Sequence, residues 1–205
     1  MPRALDDDQI EAFRERICAV ATRRFAESGI EGVTLRGLAR ELGCSAMTPY
    51  RYFESKEEIF EAVRVAAFRR FNAQMTEVAG RFPDPIERLR ATGRQYVRFA
   101  QTEPHAYRIM FQLDQPEHDE ETGSHAELEG GWQPLVDTMR EAVERGQMFG
   151  DPEDLAHCAW VSMHGLVTLH LAGKLKLGRA LEELLEPVLD TLVRGAKARP
   201  EEVEG

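Results

Sequence analysis

A chain of 205 residues is long enough to bury a sizeable core and to divide into two domains, and its 36 acidic against 26 basic residues give a net charge of −10. That charge excludes indiscriminate binding to a phosphate polymer. No run of about 18 apolar residues offers a membrane span. The opening MPRALDDDQI sets three consecutive acids where a secretory signal needs an apolar stretch, so a cytoplasmic location is expected. Cys18, Cys44 and Cys158 lie far apart without CxxC spacing, which fits a reducing compartment better than a disulfide scaffold.

The most informative segment comes early. Residues 34–53, TLRGLARELGCSAMTPYRYF, predict two short helices joined by a glycine turn. Thr34 is placed to cap the first helix, whose stripe is Leu35, Leu38, Ala39 and Leu42; Gly43 supplies the left-handed residue that ends it. Ser45 can then cap a second helix starting at Ala46. Cys44, Pro49 and Phe53 are left to pack inward, while Ala46, Met47, Thr48, Tyr50, Arg51 and Tyr52 face outward. Small, hydroxylated and aromatic side chains suit base edges, and Arg and Tyr suit phosphate oxygens. Lys56 stands at the start of the next helix, where a cation and the helix's own amides can both grip a phosphate.

Residues 34–56 carry Arg36, Arg40, Arg51 and Lys56 against Glu41 and Glu54, a local excess of two positive charges in an acidic protein. Such a molecule should approach a duplex by one end only.

The remaining elements are helical, with no sustained strand-like alternation. A long helix is expected from Lys56 to about Arg81. Asp84-Pro85 is a cap followed by a first-turn proline, opening a helix to about Thr102. A short helix spans Ala106 to Leu113, and the acid-rich DQPEHDEETGS that follows predicts a solvated loop. A further helix from about Ala126 to Gln147 is interrupted in pattern by Gly130, Gly131 and Pro134. Asp151-Pro152 starts another, EDLAHCAWVSMHGLVTLHLAG, apolar on nearly all sides. The last runs from about Arg179 to Lys197, and residues 199–205 are expected to form a flexible tail.

The final two helices carry more apolar surface than one small domain can cover, which predicts a four-helix bundle across a two-fold axis. Its partner-facing residues are Leu155, Ala159, Ser162, Leu169, Leu181, Leu185, Val188 and Leu192. A dimer presents two reading elements about 34–36 Å apart, one per major groove, and calls for a near-palindromic site.

Metal and catalytic chemistry find no support in the spacings. His157 and His164 share a helical face but sit two turns, roughly 10 Å, apart, too far to chelate one ion. There is no GxSxG, HExxH or glycine-rich phosphate loop. No catalytic residue, metal or cofactor is therefore expected. An enzyme using His164 or His105 with a carboxylate has no positive signal, and a helical ligand- or partner-binding protein that does not read DNA is the alternative class.

Over roughly residues 10–60 the chain resembles the TetR family of transcriptional regulators. The likeness rests on Thr34, Gly43-Cys44-Ser45, Tyr50-Arg51-Tyr52-Phe53 and Ser55-Lys56-Glu57. Gly37 departs from the pattern where an acid would complete a capping box, and Pro49 departs at about the fourth position of the second helix.

The resemblance implies an all-α fold. Residues 1–55 would form a three-helix DNA-binding domain with a helix-turn-helix, and residues 56–198 a helical ligand-binding and dimerisation domain. It puts Met47 and Thr48 at bases, Tyr50 and Tyr52 at backbone or adjacent bases, Lys56 at a phosphate and Phe53 in the core. With the neighbouring outward groups, the expected DNA-facing set is Thr34, Arg36, Ser45, Ala46, Met47, Thr48, Tyr50, Arg51, Tyr52 and Lys56. Trp160, His164 and Gly165 further resemble the Trp-His-Gly type of C-terminal domain, which implies an apolar cavity. The residues available to line one are Phe68, Phe71, Tyr96, Phe99, Tyr107, Met110, Phe111, Trp132, Trp160 and His164. The expected partners are a double-stranded DNA operator, a small apolar or aromatic effector and a second copy of the chain, with no membrane. The implied function is a ligand-responsive repressor.

Overall fold

The computed structural model describes residues 7–111, 123–176 and 178–197, and every regular element among them is helical. The order is α1 (Asp7–Ser28), α2 (Leu35–Glu41), a 3₁₀ turn (Pro49–Arg51), α3 (Lys56–Ala79), α4 (Pro85–Thr102), α5 (Pro104–Phe111), α6 (Gly123–Glu144), α7 (Pro152–Leu171) and α8 (Leu181–Lys197). The expected tail 199–205 and most of the expected acidic loop lie outside the described residues. Gly123 and Ser124, assigned to that loop from composition, instead open α6.

The chain divides into two compact units, Met1–Arg70 with His105–Glu127, and Phe71–Pro104 with Leu128–Gly205. The core of the first holds Ile17, Ala21 and Phe25 of α1, Leu35 and Leu38 of α2, Phe53, and Ile59, Phe60 and Val63 of α3. Phe25 meets Phe60 edge to face, with ring centroids 5.2 Å apart. A fully buried side chain of this size contributes about 1.5–3 kcal/mol, so this core fixes the small first unit. α1 has no counterpart among the helices delimited from sequence, although its Ile17, Ala21 and Phe25 are all fully buried.

In the second unit α4, α6, α7 and α8 converge on Ile86, Leu89, Val136, Met139, Met148, Ala156 and Val193. Its helix starts follow the local signals. The Asp84 carboxylate accepts the amides of Ile86 and Glu87 at 3.0 Å, and Asp151 accepts those of Glu153 and Asp154 at 2.9 and 3.1 Å, each with proline at the first helical position.

Two irregular patterns resolve through packing. α6 continues through Pro134. A side chain at Gly131 would place a Cβ 2.3 Å from Asn72 Oδ1, so glycine permits α3 and α6 to approach there. Gly93 does the same for α4 against Leu189 of α8. Arg90 also bonds Asp190 between the same two helices at 2.6 Å.

Candidate functional site

The turn at residues 42–45 forms as the sequence demands. Thr34 Oγ1 accepts the Gly37 amide at 3.1 Å, so α2 is capped despite lacking an acid at position 37. Gly43 adopts φ +68°, and the Cys44 amide reaches back to the Ala39 carbonyl at 3.0 Å while that of Gly43 reaches Arg40 at 3.3 Å. This pair of bonds satisfies the last carbonyls of α2 and turns the chain sharply.

The second element corrects the sequence expectation. No α-helix starts at Ala46. Residues 45–48 form a turn closed by the Thr48 amide on the Ser45 carbonyl at 2.8 Å, and Pro49–Arg51 is a single 3₁₀ turn. The reason is covalent. An α-helix would require the amide of residue 49 to bond the Ser45 carbonyl, and proline has none. The Thr48 amide takes that carbonyl one residue early, giving the tighter spacing. Ser45 still contributes locally, its hydroxyl lying 3.4 Å from the Met47 amide.

Exposure along this segment follows the expected division in part: Thr48 and Tyr52, expected to face outward, are covered on one side, and Cys44, expected inward, is only half-buried. Thr34, Arg36, Ser45, Ala46 and Arg51 are exposed, as are Met47 at 65% and Tyr50 at 46%, whereas Pro49 and Phe53 are buried. Thr48, Tyr52 and Lys56 are half-buried. The exposed guanidinium groups of Arg36, Arg40 and Arg51 have no ion-pair partner among the described residues. Lys56 does: its Nζ lies 2.9 Å from the carboxylate of Glu31, itself 91% exposed. A phosphate approaching Lys56 therefore competes with a solvated carboxylate, an ion pair of about 0–1 kcal/mol.

Two positioning residues escape the motif because they lie on α1. Arg14 Nη1 donates to the Tyr52 carbonyl, and its guanidinium carbon stands 4.2 Å from the centre of the Phe53 ring. Phe13 packs its ring 4.9 Å from that of Tyr52. Together they hold the carboxyl end of the reading segment. The only sequence signal is an aromatic-basic pair on the buried side of an amphipathic helix, which is commonplace. On the same helix, burial pushes the Cys18 thiol up to about 11, so it stays protonated.

The ten residues offered as effector lining fall into two sets. Phe68, Tyr107, Met110 and Phe111 belong to the first unit. There the Phe111 ring stands edge-on to Phe68 at 5.6 Å and is tilted against Tyr107 at 5.1 Å. Phe71, Tyr96, Phe99, Trp132, Trp160 and His164 belong to the second. Phe71 packs edge-on to Tyr96 and Phe99, at 5.5 and 5.2 Å. Trp132 and Trp160 are 6.3 Å apart, and Trp160 is 5.6 Å from His164, whose Nδ1 stands 3.2 Å from the Tyr96 hydroxyl. Burial holds the His164 imidazole below its ordinary range, favouring the neutral ring. An open groove of about 610 Å³ in the second unit, lined by Asp84, Ile86, Glu87, Gly146, Gln147, Phe149 and Lys197, shares no residue with either set.

Of the eight residues expected to face a partner, Ala159 and Leu181 are buried inside the protomer at 4% and 1% exposure. Ala159 belongs to the core cluster of the second unit, and the Leu181 side chain at the start of α8 is covered by the protomer itself. Leu155, Ser162, Leu185, Val188 and Leu192 are half-buried, and Leu169 is 45% exposed. Val161, absent from the expectation, is 59% exposed on α7, on one helical face with Cys158, Ser162, Gly165 and Leu169. No group of three metal-ligating side chains occurs among the described residues, and no described helix is long and apolar enough to cross a membrane.

Two family models match the chain: one described as bacterial regulatory proteins, tetR family, over residues 17–63, and one described as tetracyclin repressor-like, C-terminal domain, over residues 89–192. No curated protein sequence matches it. Among solved structures, a Rhodococcus protein of unknown function is 24% identical with a TM-score of 0.80, over 97% of this chain and 100% of that one. The transcriptional regulator FadR from Bacillus subtilis, solved in complex with stearoyl-CoA, is 20% identical with a TM-score of 0.76, over 88% and 98%. The TetR-family transcriptional regulator PfmR from Thermus thermophilus is 23% identical with a TM-score of 0.71, over 87% and 97%. At these identities the structural likenesses establish the fold.

Proposed function

Because the chain belongs to the tetR family of bacterial regulatory proteins, we propose that it is a cytoplasmic homodimeric repressor released from a near-palindromic operator by a small molecule. The observation that carries the reading is the exposed set Met47, Tyr50 and Arg51 beside Arg36 and Arg40, projecting from a clamped turn on an otherwise acidic molecule. Met47 and Thr48 would meet base edges. Thr34, Arg36, Ser45, Ala46, Tyr50, Arg51 and Lys56 would meet phosphates or adjacent groups, and Tyr52 would orient the segment's end.

In this reading residues 1–55 bind the duplex and residues 56–198 bind effector and partner. The exposed Val161 and Leu169 on α7 support self-association, since two large apolar side chains on one helix face gain by being covered. The neighbouring rings of Trp160 and His164, tilted against each other, with Gly165 following and Tyr96 at the imidazole, support a C-terminal half of the Trp-His-Gly type. An apolar or aromatic effector suits the two aromatic sets, and the stearoyl-CoA bound by the Bacillus subtilis regulator is a precedent of that character. Helix α3 starts at Lys56 and belongs to both units, so it is the element through which effector binding shifts the reading ends. The protein leaves the operator only by as much as the effector prefers the shifted state.

The test is to select genomic duplex fragments with the purified protein at several salt concentrations. One preferred near-palindrome with a steep salt dependence is expected. Weak binding without sequence preference would leave a helical ligand-binding protein instead.

A further inference from the structure

Arg64 is the most anomalous charged group in the described residues. It lies on α3, is 5% exposed, and forms no ion pair among the described residues. Its Nη1 donates to Ser124 Oγ at 3.1 Å, and its Nε has no hydrogen-bond partner. The Ser124 hydroxyl in turn donates to Glu61 Oε2 at 2.9 Å, and the Ser124 amide donates to Glu61 Oε1 at 2.8 Å. Glu61 thus serves the first turn of α6, leaving the guanidinium beside it with one neutral acceptor. Burying a cation so incompletely paired is costly, and a group of this kind calls for a specific reason, of which an acceptor that arrives with a ligand is one.

The surroundings define what that acceptor carries. The Arg64 guanidinium stands 5.5 Å from the Phe68 ring centre, and Phe68 packs on Phe111, which packs on Tyr107. A fixed cation beside a wall of buried aromatic rings matches a molecule with an anionic head and an apolar body. The amino end of α6 is already met by the Glu61 carboxylate, so the guanidinium alone is left to hold an anion.

Building on the regulator reading above, we propose that the effector is an amphiphilic acid whose carboxylate or phosphate is held by Arg64 at the first turn of α6, with its apolar part against Phe68 and Phe111. Arg64 is two helical turns, about 12 Å, along α3 from Lys56. Occupation of the guanidinium therefore acts on the helix that leads to the reading segment.

The experiment uses the full chain and three probes below their micellar concentrations: decanoate, 1-decanol and inorganic phosphate, with binding measured by calorimetry. Decanoate is expected to bind at least tenfold more tightly than decanol. Arg64→Met should erase that preference while leaving decanol affinity unchanged, and Arg64→Lys should keep part of it, because the charge remains while the planar fork is lost. Phosphate at millimolar concentration should compete with decanoate if the head is bound as a generic oxyanion, and fail to compete if a carboxylate joined to an apolar body is required; both results uphold the cation's role and assign the head.

Equal affinity for decanoate and decanol, or binding of neither, overturns the proposal. So does a folded Arg64→Met protein that keeps its acid preference. The acid-alcohol comparison on the unaltered protein needs no variant to fold. Release of the operator by a neutral apolar compound alone would remove this proposal and leave the regulator reading intact. Loss of operator recognition itself would remove the regulator reading.

Discussion

The proposed reading segment at residues 45–53 and the proposed partner face of α7 build exposed surfaces in opposite ways. α7 and α8 are long, and α7 begins on Asp151 and Pro152, so its position and phase follow from its own sequence. Its exposed face is then a consequence of helical periodicity. The reading segment is too short to hold a shape alone, and Pro49 removes the bond that would make it an α-helix. Its geometry comes from Arg14 and Phe13, more than thirty residues away. Local signals therefore place a long helix, whereas neighbours distant in sequence shape a short recognition turn.

The strongest way to break this comparison is at α7. Val161→Glu combined with Leu169→Glu should split the dimer and weaken operator binding roughly hundredfold, in keeping with the about 2–4 kcal/mol that central apolar side chains contribute to an interface. Sedimentation and operator titration on the same sample check it, and a dimer that survives both charges would move the interface elsewhere.

Next in size is the clamp. Arg14→Ala should lower operator affinity about tenfold, a loss of about 1.4 kcal/mol, for all sequences alike and without changing the salt slope. A fallen slope would instead make Arg14 a phosphate-binding residue. Smaller still, Glu31→Gln should remove the nearer of the two carboxylates at Lys56, leaving Glu57 at 3.9 Å, and tighten binding two- to threefold at low salt, in keeping with about 0–1 kcal/mol for an exposed ion pair. The gain should fade as ionic strength rises.

The smallest effect lies in the second unit. Since burial lowers the pKa of His164, the unfolded chain binds more protons in the window below the ordinary histidine value of about 6.5. Stability should be full above that value and fall as pH drops through the window. His164→Gln should flatten this slope in urea titrations, and an unchanged slope would assign it to another group.

The sequence is legible where one residue type does one local job. Thr34, Gly43, Asp84-Pro85 and Asp151-Pro152 each act within a turn of the backbone, and each forms the expected bond or turn. It misleads where helical phase is extended through Pro49, because outward and inward positions in a tight turn resemble those of a helix. The continuity of α6 through Gly130, Gly131 and Pro134 is obscured because Gly131 answers to Asn72, a neighbour in space. In the same way, Ala159 and Leu181 share the periodicity of a partner-facing stripe but are covered by the protomer itself. Arg14 and Arg64 are illegible as functional residues for one reason: an arginine among many gives no sign of what lies over it.

The central claim is that the exposed cations of the clamped turn grip duplex phosphates, one copy from each protomer. The direct measurement is the salt dependence of operator binding before and after Arg51→Gln. With one cation fewer on the phosphates from each protomer, the slope of log affinity against log salt should fall by about two for the dimer. A slope identical to that of the unaltered protein would contradict the account.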